Sequence, residues 1–161
     1  MKLEIDLVPS TAWYSNLRTK IPSQEWDKIR KQSYANANYR CQICGSDGKD
    51  QILVTKGSLN GTLNCHEIWE YDDKKHIQKL NGFLALCNDC HMIKHIGFGM
   101  IQALKGLLDM DKLINHFTKI NQVNRKTFDK HHEISFEVWR ERSKHKWTTD
   151  LNQWSNLVSK H

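Results

Sequence analysis

Cysteine spacing is the strongest chemical signal in this chain of 161 residues. Two Cys-x-x-Cys pairs contain four of the five cysteines, which are Cys41, Cys44, Cys87 and Cys90. A two-residue spacer lets both thiolates of a tight turn face one ion, and four thiolates suit tetrahedral Zn²⁺. We therefore predict one structural zinc ion. The alternative is a redox-active Cys-x-x-Cys, but the βαβ pattern expected around such a motif is missing from the sequence.

Histidines cluster near the second cysteine pair. His91 follows Cys90 directly, and His95 comes four residues later, on the same face if the segment is helical. A strand that carries His66 and Glu67 beside that helix would bring imidazoles and a carboxylate to one point. Such a group suits a divalent metal ion and general-base chemistry. The simpler interpretation is that His91 only caps the helix or packs against neighbouring side chains.

Sequence periodicity predicts the elements that position these residues. LEIDLV alternates polar and apolar residues, which predicts an extended arm within residues 1–20. Ser23 as N-cap predicts a helix that runs into the first cysteine pair. The runs QILVTK and TLNCHEIWEY predict short strands, and the polar run DDKKHIQK predicts a loop.

The second half of the sequence is expected to be mainly helical. FLALCNDCHMIKHI predicts a short strand or turn that runs into a helix, and two further helices should begin after Asp109 and Asn124. We predict an α+β fold in one domain. Its parts are an arm and helix in residues 1–40, a cysteine-bearing core in 41–96 and a helical extension in 97–161.

Positive charge is concentrated at both ends of the sequence. The net charge of +6 divides into +3 over residues 1–40, −1 over 41–95 and +4 over 96–161. This pattern indicates an anionic partner, most commonly nucleic acid, although a generic basic surface would look the same. The candidate phosphate contacts are Arg125, Lys126, Arg140, Arg142, Lys144 and Lys146. Without an apolar run of about 18 residues or a signal-peptide core, a cytoplasmic protein without membrane contact is expected.

Three segments in order, CQICG, CHEIWEY and LALCNDCHMIKH, resemble the HNH endonuclease family. The resemblance covers residues 41–95, about a third of the chain. It implies a ββα-metal core braced by zinc through the two cysteine pairs. It also implies a nuclease that hydrolyses phosphodiester bonds of double-stranded DNA with Mg²⁺ or another divalent ion. The alternative is a catalytically inactive zinc module that binds nucleic acid or a protein partner.

The resemblance assigns roles residue by residue. The four paired cysteines match the structural zinc ligands, and His91 matches the metal-binding histidine that opens the helix of the motif. The family's middle Asn falls five residues before the third cysteine, where this chain has Gly82, with Asn81 one residue earlier. The expected catalytic residues are His66, Glu67 and His91, and the expected ligands of the catalytic ion are His66, His91 and His95.

Two alignments of the strand remain open. The strand motif of the family consists of a metal ligand, a general base and an Ile in consecutive positions. If its Ile is aligned with Ile68, His66 becomes the ligand and Glu67 the base. Sliding by one residue makes Cys65 the ligand and His66 the base. An ordinary histidine pKa near 6.5 suits a base at neutral pH, whereas a thiolate is a poor ligand for Mg²⁺. His66 is essential in both alignments.

Overall fold

Five α-helices and a three-stranded sheet make up the fold, and the computed structural model describes residues 1–50, 52 and 63–158. The helices are α1 (Ser23–Asn36), α2 (Asn88–Lys94), α3 (Ile96–Leu104), α4 (Met110–Asn121) and α5 (Arg125–Arg142). The strands are β1 (Asn64–Asp72), β2 (Ile77–Leu86) and β3 (Thr148–Asp150). Shorter 3₁₀ helices span Ser10–Ala12, Leu17–Thr19 and Asn152–Leu157. The predicted α+β class is confirmed.

Within the described residues, the sheet has the order β1-β2-β3, with β1 at an edge. β1 and β2 form an antiparallel hairpin, and β3 adds parallel to β2. The prediction of a loop for the polar run DDKKHIQK is wrong in the second part of the run, because β2 already starts at Ile77, which pairs with Asp72. Continuous pairing with β1 outweighs the polar composition of the run. The strand predicted for QILVTK lies outside the described residues, except for Ile52.

Buried side chains form two clusters. The first joins the N-terminal arm, both cysteine pairs, α2 and α4, with its centre at Leu3, Leu86, Ile93, Leu113 and Phe117. The second joins α1, the hairpin and the C-terminal segment, and consists of Leu17, Ile21, Trp26, Leu80 and Leu151. The cysteine pairs are therefore part of the hydrophobic core and not an appendage to it.

The extended arm is held by helices and not by the sheet. Side chains of α4 and α5 make hydrogen bonds of 2.8 to 3.0 Å to its backbone. The pairs are Asn121 with Leu3, His131 with Ile5 and Trp139 with Val8. The arm thus has a fixed course, although no strand is assigned to it.

Two of the helix starts follow the expected capping chemistry. Asp109 accepts a hydrogen bond from the backbone N–H of Lys112, and Asn124 accepts one from that of Thr127. Ser23 is instead the first residue of α1, which has no side-chain cap at its start. In the described part of the chain, no helix is both long and apolar enough to cross a bilayer.

Helix α3 was not predicted, because it contains Gly97 and Gly99 and glycine disfavours helix interiors. Packing explains the second glycine. A Cβ atom at Gly99 would lie 3.1 Å from Cγ of Met92, closer than ordinary contact. The missing side chain lets α3 approach α2, and this tertiary contact outweighs the low helix propensity.

Candidate metal sites

The four paired cysteines converge on one point. The sulfur atoms of Cys41, Cys44, Cys87 and Cys90 all lie within 4.8 Å of one another. Sγ of Cys44 and Sγ of Cys87 are 3.6 Å apart, close to the roughly 3.8 Å expected between thiolates around a tetrahedral Zn²⁺ with Zn–S bonds of about 2.3 Å. The predicted grouping of these cysteines is confirmed, and its geometry could hold one zinc ion.

Local backbone structure places each cysteine pair. Gly45 donates its N–H to the carbonyl of Cys41, 2.8 Å away, and adopts a φ of +77°, a left-handed conformation that favours glycine. The second pair begins α2, where Cys87 is the N-cap and its sulfur accepts the N–H of Cys90 at 3.5 Å. Gln42 bonds to both backbone groups of Ala85 in β2 and so fixes the first pair against the hairpin.

The electrostatics of the four thiols favour a cation. Hydrogen bonds from Cys87 and Cys90 lower the pKa of Cys41, and the same bonds raise the pKa values of the two donors. One thiolate therefore opposes the ionisation of its neighbours until a cation shares the charge. Nε2 of His116 in α4 lies 3.2 Å from Sγ of Cys90, an outer contact that sequence reasoning missed.

A second cluster contains the three histidines expected to bind the catalytic ion. Nitrogen atoms of His66, His91 and His95 lie within 4.8 Å of one another, and their ring centroids are 4.8 to 5.5 Å apart. The N–H of His95 bonds to the carbonyl of His91, so these two side chains stand one turn apart at the end of α2. His66 reaches them from β1 and is only 4% exposed. We call this group the histidine cluster.

The histidine cluster is chemically suited to a metal ion. Burial, followed by the neighbouring imidazoles, lowers the pKa of His91 to about 2 and that of His95 to about 4, so both rings are neutral at pH 7. Neutral imidazole is the form that binds metals. Among the described residues, none makes a hydrogen bond to the buried Nε2 of His66. An orphaned nitrogen beside two neutral imidazoles is the donor set that a metal ion would satisfy.

Asp6 is a member of this site that the sequence did not reveal. Its Oδ2 lies 3.7 Å from Nε2 of His66, and its N–H donates to the carbonyl of Lys94. Burial alone would raise the pKa of the Asp6 carboxyl, but His66, Lys94 and His95 lower it by more, so Asp6 is an anion at neutral pH. Nothing in the arm distinguishes Asp6 from Glu4, the other carboxylate in the alternating run LEIDLV.

Glu67 occupies a different position from His66, because neighbours on a strand point to opposite faces. Its Oε1 accepts the N–H of Arg18 at 3.2 Å, and burial raises the pKa of its carboxyl despite that bond. Cys65 belongs to neither cluster, and burial raises the pKa of its thiol to about 11. Asn81 donates to Glu70 at 2.7 Å and does not join the histidines.

A cavity of about 660 Å³ lies beside β1. Its walls include the three histidines, Asp6 and Glu67 and the side chains of Trp13, Trp26 and Trp69. The cavity gives a ligand direct access to the histidine cluster, whereas Cys41, Cys87 and Cys90 are at most 3% exposed. The cysteine cluster has the closed character of a structural site, and the histidine cluster lies at the wall of the cavity.

We predict that Cys87→Ser removes the zinc bound by the purified protein, because three thiolates and a hydroxyl make a poor site for this ion. Structural zinc contributes roughly 10 kcal/mol in small domains, and losing even a third of it should lower the melting temperature by about 10 °C. Elemental analysis and thermal unfolding measure both effects. Cys65→Ser is the matched control and should keep one zinc per chain. Full zinc content in Cys87→Ser would contradict the assignment.

We predict a second metal equivalent at the histidine cluster. In zinc-loaded protein, titration with Co²⁺ should show one further site, and its absorption spectrum should report nitrogen ligands. His91→Ala should abolish that site, and Asp6→Asn should weaken it about 10- to 100-fold, as the loss of an outer-shell partner does. His132→Ala, on α5, is the control. Undiminished Co²⁺ binding by His91→Ala would refute this site.

Comparison with known proteins identifies no relative of this chain. No family profile matches the chain, and no curated protein and no solved structure matches it significantly. The interpretation of the chain therefore depends on its own residues: a cysteine cluster at zinc-binding distance within an α+β fold, and a group of three histidines that lines a cavity.

Proposed function

We propose that this protein is a metal-dependent nuclease that hydrolyses phosphodiester bonds of DNA at the histidine cluster. The convergence of His66, His91 and His95 at the wall of an open cavity carries the proposal. A structural zinc module has no need for three neutral imidazoles outside its own ligand set. The order of the motifs in the sequence, which resembles the HNH family, supports the same chemistry.

The ligand chemistry favours a particular class of ion. Three imidazole nitrogens suit transition metals such as Mn²⁺, Co²⁺ or Zn²⁺ better than Mg²⁺, which prefers oxygen ligands and water. The Asp6 carboxylate adds a negative charge beside the imidazoles. A divalent ion bound here would neutralise the charge that develops on the scissile phosphate and on the leaving oxygen. We therefore expect Mn²⁺ to support activity better than Mg²⁺.

The structure favours one of the two strand alignments. His66 lies with His91 and His95, which supports a role as ligand, while Cys65 is outside both clusters. A proton acceptor other than His66 is then needed, and Glu67, although on the other face of β1, lines the same cavity. Burial raises the pKa of its carboxyl toward the range of an effective base. We assign Glu67 the role of taking a proton from the attacking water.

Three of the six expected phosphate contacts are already engaged inside the chain. Arg125 pairs with aspartates in α4 and α5, Lys144 pairs with Glu141, and Arg142 forms two hydrogen bonds with Asp73. Exposed ion pairs are weak, but they reduce the availability of these cations. Lys126, Arg140 and Lys146 are exposed and remain the best candidates for contacts with DNA.

The inactive zinc module remains the second candidate, because one position departs from the family pattern. Gly82 stands where the family has Asn, and its φ of +152° opposite the irregularity in β1 favours glycine. Asn81, the nearest asparagine, is bonded to Glu70. A chain with this departure would still bind metal and DNA but would not cut.

We predict that the parental protein nicks plasmid DNA with Mn²⁺ and that Glu67→Gln slows cleavage at least about 100-fold, the usual effect of losing a general base. His66→Ala and His91→Ala should abolish cleavage while retaining zinc at the cysteines. Glu70→Gln, on the same strand but exposed, is the matched control and should cut at the parental rate.

Three outcomes of this assay decide between the alternatives. A silent Glu67→Gln with an inactive His66→Ala would make His66 the base. If His66→Ala and His91→Ala both cut DNA at the parental rate, the activity would come from another site or from a contaminant. If the parental protein fails to cut DNA with every divalent ion tested, the inactive zinc module would be the better description.

We predict that DNA affinity falls steeply with salt, because each phosphate contact releases counterions. Replacing Lys126, Arg140 and Lys146 together by Ala should lower the slope of log K against log salt by up to about 3. Lys28→Ala is the control, because Lys28 pairs with Glu25 on α1. Fluorescence anisotropy at several salt concentrations measures the slope. A flat dependence in the parental protein would exclude an electrostatic interface.

A further inference from the structure

The wall of the cavity that contains the histidine cluster includes an aromatic region. The walls of this region include three indoles and a phenyl ring from four separate segments, which are Trp13, Trp26, Trp69 and Phe98. The volume of about 660 Å³ is much more than an ion, a phosphate group and a water molecule occupy. It falls within the roughly 300–1,000 Å³ of pockets that hold organic ligands.

The tryptophans differ in how fully the fold uses them. Trp26 is 9% exposed, contacts Phe83 edge to face at 5.9 Å and belongs to the second buried cluster. Trp13 is 53% exposed, and within the described part of the chain it has no ring contact. Core packing therefore explains Trp26, whereas Trp13 presents a large apolar surface at a cavity wall without a partner.

We infer that this aromatic region binds an unpaired nucleobase beside the scissile phosphate. The inference rests on the proposed nuclease function and names its substrate class: a DNA strand in which at least one base is unstacked. A phosphate held at the histidine cluster carries its nucleoside with it, and the adjoining space in the same cavity is bounded by indole rings. Indoles bind bases of any sequence, because every base has a π face.

A base inside a regular duplex cannot occupy this region. Both of its faces are covered by neighbouring bases, so contact with Trp13 requires a single strand, a bulge or a base turned out of the helix. Charge also favours a nucleic acid as the occupant. The charged side chains that line the cavity are Asp6, Arg18 and Glu67, and a divalent ion at the histidine cluster would offset both carboxylates and leave the positive charge of Arg18. A neutral apolar peptide would leave this distribution of charge unused.

Three labelled DNA ligands of one sequence test the inference: a single strand, a perfect duplex and a duplex with one unpaired base. Affinities are measured by fluorescence anisotropy with zinc-loaded protein and no added Mn²⁺, and cleavage is measured separately with Mn²⁺. We expect Trp13→Ala to lose about 5- to 100-fold in affinity for both ligands with unpaired bases, the usual effect of removing one stacking side chain. Its affinity for the perfect duplex should change less than about twofold.

Two further variants make the result specific. Trp13→Tyr keeps an aromatic face and should restore most of the affinity for unpaired bases. Tyr39→Ala removes a side chain that is 65% exposed and does not line the cavity, so it should bind all three ligands like the parental protein. Parental affinity of Trp13→Ala for every ligand, with cleavage intact, would overturn the base pocket and leave the nuclease standing.

The remaining outcomes separate the two proposals. Equal losses for all three ligands in Trp13→Ala would mean that the indole contacts the backbone or supports the fold, which also overturns the base pocket. A parental protein that prefers unpaired bases but never cuts would support the pocket and refute the nuclease. A parental protein that binds none of the ligands would refute both.

Discussion

Helix α2 is the element on which both clusters depend. Its first turn carries Cys87 and Cys90, and its end carries His91 and, one residue beyond, His95. The sulfur of Cys87 caps the helix, so the geometry of the cysteine cluster sets the direction in which the histidines point. A helix of only seven residues is marginal by itself in water. The order of the histidine cluster is therefore a consequence of the fold around the cysteines.

Sequence reasoning recovered the parts of the site that lie close together along the chain. The spacing of Cys87, Cys90, His91 and His95 within one helix fixes their relative positions before any tertiary contact is known. Asp6 and His116 could not be found this way, because they reach the clusters only through long-range packing of the arm and of α4. The short strand β3 escaped prediction for the same reason, since only its pairing with β2 defines it.

Strand geometry separates residues that the sequence places side by side. Cys65, His66 and Glu67 are consecutive, yet only His66 faces α2, because side chains alternate along a strand. The irregularity between Ile68 and Trp69 lies opposite Gly82 and displaces Asn81 from the regular pairing of the hairpin. A sequence motif treats these residues as one continuous segment. In the structure, the pleat of the strand and its irregularity place their side chains in different surroundings.

The course of the arm also bears on how the protein matures during synthesis. Asp6 is synthesised long before α5, but the hydrogen bonds that hold the nearby Ile5 and Val8 come from His131 and Trp139 in that helix. The cysteine cluster needs only the chain up to Cys90. We therefore expect a nascent chain that stops short of α5 to assemble the cysteine cluster while the arm remains undocked. The histidine cluster would then be completed only after α5 has left the ribosome.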